Sequence, residues 1–318
     1  MDRVNLPFTG IPTFLRAPLV TTLHTVLSRP DARKLRIVRR LAQRSAVLVV
    51  MARRAVDLLE EVYGVPRERI VHIPHGAPLP PPTPRGELRR RLGLEGRVVL
   101  CTLGLLNPGK GIEYALQALP DVVAACPEVL YLVLGQTHPV VKRYMGEAYR
   151  DHLLELVERL GLQGHVRFVD AYLSQQELVE YLVSSDIYVT PYLGREQITS
   201  GTLAYALALG KAIVSTPYIY AEEMLGDGTG ILVPFRDAAA LASSLRQLIA
   251  SPSLRALLEG RAAARGGDLS WARVAQQYAR LFLETAEAGP LARLLPRRRK
   301  LSLEAERGSH RRGPGQAG

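Results

Sequence analysis

Cysteine is nearly absent: the 318 residues contain two, Cys101 and Cys126. Neither lies in a metal-spaced cluster, and two thiols are no disulfide framework. They read as reduced, structural thiols of a cytoplasmic protein. Long apolar runs are missing too. "AVLVVMA" and "RVVLCTLGLL" are strand-length, well short of the ~18 residues that span a bilayer. The N-terminus has few charges before the proline-broken "LPFTGIPTFL", so it lacks the pattern of a signal peptide. Internal repeats and coiled-coil heptads are also lacking. What is abundant is hydrophobic side chain, at 47%, enough for a sizeable core and too much for a disordered body.

The net charge of +11 is unevenly spread. From Gly289 onward eight basic residues face Glu304 and Glu306, so this tail carries +6 and the preceding 288 residues only +5. A basic tail suits contact with nucleic acid or anionic lipid. It equally suits a solvated, disordered extension, which is the reading adopted, and nucleic acid is not expected as a partner. The basic amphipathic stretch "DARKLRIVRRLAQRS", with Leu35, Val38 and Leu41 on one face, predicts a helix that offers peripheral contact with an anionic membrane.

Around that helix, "PLVTTL", "AVLVVM" and "RIVHIPHG" read as strands, and "ARRAVDLLEEVYG" as a helix stopped by Gly64. Five prolines between Ala77 and Gly86 suit a stiff linker and mark a domain boundary. Beyond it, strand and helix patterns alternate. "RVVLCTLG", "VLYLVLG", "HVRFV", "DIYVTP", "AIVST" and "GILVP" are short, β-branched and apolar on both faces. Such strands predict a parallel sheet covered by helices on both sides, a Rossmann-like α/β lobe. Its ligands bind beyond the carboxyl ends of the strands.

The segment "LGLLNPGKGIE" carries the first chemistry. Gly104 ends a strand, Gly109 and Gly111 flank Lys110, and a helix is predicted from Ile112 to Ala125. Glycines let backbone approach an anion, and a helix N-terminus supplies free N–H groups and a positive dipole end. The string nearly spells a P-loop, but Gly111 stands where a Mg²⁺-binding Ser or Thr belongs. "LYLVLG" also ends without the acid a Walker-B strand needs. A nucleotide triphosphatase is therefore disfavoured against a diphosphate cradle or a plain glycine turn. A second turn supports the cradle. Ser200, Gly201 and Thr202 open the helix after "DIYVTP", and Glu196 and Gln197 precede them. Two helix starts on one parallel sheet can converge on one ligand, with Glu196 and Gln197 accepting or donating to sugar hydroxyls. His75 and His138 read as packed turn residues.

The ordered set "TTLH", "IPHG", "LGLLNPGKGIEYALQAL", "YLVLGQTHP", "SSDIYVTPYLGREQITSGTLAYALALGKAIVSTP", "AEEMLGDGTGILVPFRD" and "SWARVAQQYARLF" resembles the family 4 retaining glycosyltransferases of the two-lobed GT-B type. The resemblance implies two Rossmann-like lobes. Residues 1–84 would be a shortened acceptor-side lobe, 85–270 the nucleotide-sugar lobe, 271–288 a helix crossing back, and 289–318 a basic tail. It implies transfer of a hexose with retention, from a donor such as a UDP- or GDP-hexose to a carbohydrate or lipid-linked acceptor, with no cofactor and no metal. Lys110 would neutralise the diphosphate with Gly104, Gly111, Thr137, Ser200, Gly201 and Thr202 around it. His24 would face the sugar from the first lobe, and Glu196 or Gln197 would hold its hydroxyls. The chain departs from the family at Leu105, where the family has Arg. It departs again at Gln197 and Tyr205, which fall where the family has two Glu, with Tyr205 still expected among the donor-binding residues. The short first lobe leaves open a sugar-nucleotide-binding protein or regulatory partner without turnover.

Overall fold

The computed structural model describes residues 17–288; the basic tail and the first 16 residues lie outside the described part. Among the described residues nine strands form two parallel sheets, with twelve α-helices packed around them. In the first sheet β1 (Val20–Leu23), β2 (Val47–Val50) and β3 (Ile70–His72) pair in the order β1-β2-β3. Helices α1 (Ala32–Arg44) and α2 (Arg53–Glu61) connect them. Asp31 caps α1 by accepting from the Lys34 amide, and Leu35, Val38 and Leu41 turn inward to the core.

The second sheet has the order β6-β5-β4-β7-β8-β9, all parallel. Its strands are β4 (Val98–Leu103), β5 (Val129–Leu134), β6 (Val166–Val169), β7 (Ile187–Thr190), β8 (Ala212–Ser215) and β9 (Ile231–Leu232). Side chains alternate between its faces, as the pleat requires. Leu100, Tyr131, Val133 and Val189 pack under α4 (Ile112–Ala125), α6 (Ala148–Arg159) and α10 (Ala238–Ala250). Cys101, Leu132, Tyr188 and Ile213 pack under α7 (Gln175–Ser184), α8 (Gly201–Ala208) and α9 (Ile219–Leu225). All six residues of β5 are buried, and each fully buried aliphatic side chain contributes roughly 2 kcal/mol. From β4 the chain winds outward through β5 and β6, then returns to β7 on the other side of β4. The β4–β7 seam is thus the point where winding reverses, the place where open α/β sheets bind ligands.

The proline-rich stretch is tied down at one end and ends early at the other. Ala77 pairs with Ser270: its amide donates to Leu269 O (2.6 Å), and the Trp271 amide donates to its carbonyl (3.0 Å). At the far end, helix α3 (Arg85–Arg91) begins inside the stretch. Two more short helices were not expected from the sequence: α5 (Pro139–Met145) and α9. After α11 (Pro252–Gly266), helix α12 (Trp271–Ala288) lies on the first sheet, where Val274, Tyr278 and Leu281 pack with Val49 and Ile73. Among the described residues no helix is long and apolar enough to cross a membrane.

Asp186 anchors α3 to the second sheet. Its carboxylate accepts from Arg85 (2.6 Å), Arg89 (3.2 Å) and the Val99 amide (2.8 Å). Burial opposes its ionisation, but the Val99 amide and the two guanidiniums outweigh that and hold its carboxyl below the usual range. A depressed folded-state value adds stability that is present above the unfolded pKa and lost as pH falls through the folded one. Asp186→Asn should cost about 2 kcal/mol at pH 7. In thermal melts the gap from wild type should narrow below about pH 4, where the unfolded carboxyl is protonated. A gap independent of pH would contradict this account.

Candidate functional site

The loops after β4 and β7 are laced together. Asn107 accepts from the Gly109 amide (2.9 Å) and shapes a single tight turn at Pro108–Lys110. The Leu193 amide donates to Gly109 O (2.9 Å). Gly111 has φ +63°, and a Cβ there would lie 2.1 Å from the Pro191 carbonyl oxygen. Only glycine tolerates both the left-handed conformation and that approach. Gly111 is therefore a packing residue beneath the site: it is buried, facing β7's loop rather than the cavity.

This lacing brings Lys110 onto Tyr192. The ammonium donates to the Tyr192 hydroxyl (2.7 Å) and stands 4.0 Å from the ring centroid. Tyr192 is 3% exposed and stacks on Tyr218, with centroids 5.1 Å apart. A chain of hydroxyls continues from it: Tyr192 OH to Thr202 Oγ1 (3.2 Å), then Thr202 Oγ1 to Ser200 Oγ (3.2 Å). Ser200 caps α8 by accepting from the Leu203 amide (3.3 Å). Burial would raise the Tyr192 phenol, but the Lys110 charge and hydrogen bonds with Lys110, Thr202 and Thr190 lower it. Tyr218, buried and without such a cation, is pushed up.

Above this network lies a cavity of about 450 Å³, open to solvent, with Gly104, Leu105, Lys110, His138, Gln197 and Thr202 in its wall. It sits on the β4–β7 seam. The first turn of α8 borders it, and the amides of a first helical turn have no intrahelical acceptor. Positive charge, amide dipoles and a hydroxyl together suit an anionic, hydrogen-bonding ligand.

Several sequence-proposed residues sit elsewhere. Thr137 is 2% exposed and its hydroxyl donates to Glu147; its neighbour His138, read from sequence as packing only, lines the cavity and caps α5. Glu196 does not join Lys110. Its carboxylate accepts from the Ser28 amide and hydroxyl, both at 2.7 Å, across the cleft to the first lobe. Gln197 does line the cavity, with its side-chain amide donating to Thr199 O (2.8 Å). Tyr205 faces the junction of the lobes, edge-on to His75 with centroids 6.2 Å apart.

His75, likewise read from sequence as packing only, lies directly over the start of α8. A Cβ on Gly201 would come within 2.8 Å of its Nε2. Its Nδ1 must carry the proton, because it bonds Gly76 O (2.7 Å), which only accepts. The Nε2 lone pair then faces Gly201. Burial pushes His75 below the ordinary histidine pKa; the Gly76 carbonyl opposes this and nearby His24 reinforces it. His24 itself is exposed. The first lobe thus brings His75 over the start of α8, with His24 near it. The spacing of "IPHG" offered a weak signal for His75, and nothing in the pattern singled out Tyr192 or Tyr218.

Two family models match the chain. "Glycosyl transferases group 1" covers residues 97–251, and "Glycosyltransferase Family 4" covers residues 4–79. The chain belongs to the family 4 glycosyltransferases of the GT-B type. Among its relatives, the phosphatidyl-myo-inositol mannosyltransferase of Mycolicibacterium smegmatis is 32% identical over 197 residues, 61% of this chain and 47% of that protein. The D-inositol 3-phosphate glycosyltransferase of Kineococcus radiotolerans is 27% identical over 233 residues, 69% of this chain and 52% of that protein. The chain spans about half the length of these curated relatives. The fold is also that of Anabaena HepE, solved with UDP and glucose: TM-score 0.74, 20% identity, covering 87% of this chain and 74% of that one. Sucrose-phosphate synthase from Thermosynechococcus elongatus gives a TM-score of 0.72 at 20% identity, over 88% and 71% of the two chains.

Because the lacing of the two loops runs through Gly111, Gly111→Ala should destabilise the second lobe by about 2 kcal/mol or more, from backbone strain plus the collision with Pro191 O. Urea unfolding at constant m-value measures this; an unchanged midpoint would show that the loops can separate freely.

Proposed function

We propose that this chain transfers a hexose from a nucleotide-sugar donor to a carbohydrate or lipid-linked acceptor, with retention at the anomeric carbon. The observation that carries the reading is the convergence of Lys110, Thr202 and the first turn of α8 on one cavity at the β4–β7 seam. A diphosphate placed there meets an ammonium, a hydroxyl and helix amides already in position, so little reorganisation is needed as charge builds on the leaving group. One such charge pair at about 4 Å is worth about 4 kcal/mol in a medium of effective dielectric about 20. Felt only by the departing diphosphate, that is roughly a thousandfold in rate.

In this mechanism the bond from the anomeric carbon to the β-phosphate oxygen breaks, and its electron pair leaves on the diphosphate. The acceptor hydroxyl adds to the same face and passes its proton to that phosphate oxygen. Gln197 contacts the sugar from the second lobe and His24 approaches it from the first. Glu196, bonded to Ser28, serves lobe closure instead of the sugar. The positive charge is supplied by side chain and backbone, so metal-independent transfer is part of the proposal.

A second reading, donor binding without turnover in a regulatory partner, draws support from Glu196 and Tyr205. The one is committed to Ser28 and the other lies beside His75, which leaves few polar groups for the sugar.

Isothermal titration with UDP and with GDP tests both readings. Wild type should bind at least one of them, and Lys110→Ala should weaken it about tenfold or more. Absence of binding to either, or equal binding by the variant, would overturn the donor site. Slow release of free hexose from UDP- or GDP-hexose separates the transferase from the binding protein.

A further inference from the structure

Lys110 is the one lysine or arginine in the cavity wall among the described residues; the neighbouring place in the same loop is Leu105. A lysine is a compact charge on a flexible four-carbon stem, and left to itself it samples many rotamers. Its rotamer freedom is worth up to about 2 kcal/mol, lost on binding unless it has been lost on folding. A lone lysine serving a diphosphate therefore gains from being held.

Tyr192 is placed to hold it. The phenol is buried, and it cannot swing away because its ring is stacked on Tyr218 and its hydroxyl meets Thr202. Tyr218 in turn is completely buried beside Thr190. The phenol oxygen accepts from the ammonium at 2.7 Å while the ring lies under the cation at 4.0 Å. One residue thus supplies both a charge-assisted hydrogen bond and a cation–π contact. The same hydroxyl is bonded to Thr202, at the start of α8, so it couples the cation of one loop to the helix start of the other.

We propose that Tyr192 is a positioning residue of the donor site, fixing the Lys110 ammonium toward the diphosphate and linking it to Thr202. The proposal rests on the donor-site reading above. It acts through Lys110, so its effect exists only while Lys110 is present. Neither the β4 loop nor the β7 loop alone would then form a competent anion site; the phenol joins them.

Tyr192→Phe keeps the ring, the stack and the cation–π contact, and removes only the hydroxyl. Its melting temperature should stay close to wild type. UDP or GDP affinity, whichever wild type shows, should fall about tenfold by titration, the scale of one hydrogen bond to a charge. In the Lys110→Ala background the same change should cost little more, because the partner is already gone. Equal losses in both backgrounds would overturn the proposal, since Tyr192 would then act independently of Lys110. A second measurement needs no ligand. In lysine-selective ¹H–¹⁵N spectra of the free protein, the Lys110 ammonium should be protected from water exchange in wild type and lost to exchange in Tyr192→Phe. Identical spectra would overturn the pairing even if UDP binds. Protection lost in the variant would support it even if neither nucleotide binds, in which case the donor reading alone falls.

Discussion

The approach of Gly111 to the Pro191 carbonyl is the constraint on which the site depends. Two loops leave adjacent strands, β4 and β7, at the seam where the winding reverses. Nothing in the strand ladder obliges those loops to touch. The absence of a side chain at Gly111, with its left-handed backbone, lets them close to contact, and the bond from Leu193 to Gly109 fastens them. The position of Lys110 over Tyr192, the hydroxyl chain to Ser200 and the shape of the cavity all follow from that closure. Electrostatics enters afterwards: burial raises the phenol's pKa, but the ammonium's charge and the hydrogen bonds with Lys110, Thr202 and Thr190 together lower it.

Around the site, two carboxylates of the second lobe accept backbone N–H groups of the first, beside a hydrophobic cluster that both lobes share. Glu196 receives Ser28. Glu223 receives the Arg53 and Arg54 amides at 2.8 and 3.0 Å, filling the N-terminus of α2. These carboxylate contacts fix the direction in which the two lobes meet. The junction itself is stiffer. Trp271 lies so closely on Gly76 that a Cβ there would be 2.0 Å from the indole, and Ala77 is paired with Ser270.

Much of the fold was legible in the sequence because its strands are buried on both faces and its long helices are periodic. The continuous apolar run of β5 and the capped, amphipathic α1 leave little choice. The short helices α3, α5 and α9, each of seven residues, span too few turns for periodicity to register. In the site, Lys110, Gly104, Ser200 and Thr202 were legible because glycine turns and helix starts are local features. The bond of Glu196 to Ser28 was not legible, because the two are 168 residues apart. Nor was the bond of the Thr137 hydroxyl to Glu147, which lies on the far side of a short helix. Tyr192 escaped notice, and His75 was read as packing, for the same reason: their contacts run between segments, which no local pattern records.

The return of α12 to the first sheet has a consequence for how the molecule is made. Val49 and Ile73 obtain part of their cover from Val274 and Leu281, and Thr22 meets the Tyr278 hydroxyl across 256 residues of sequence. During synthesis the second lobe can bury its own core as it emerges. The first sheet, made earlier, keeps one apolar face wet until the last described helix arrives. Its completion is a long-range closure, slow relative to local folding. For that interval the apolar face of the first sheet is open to aggregation.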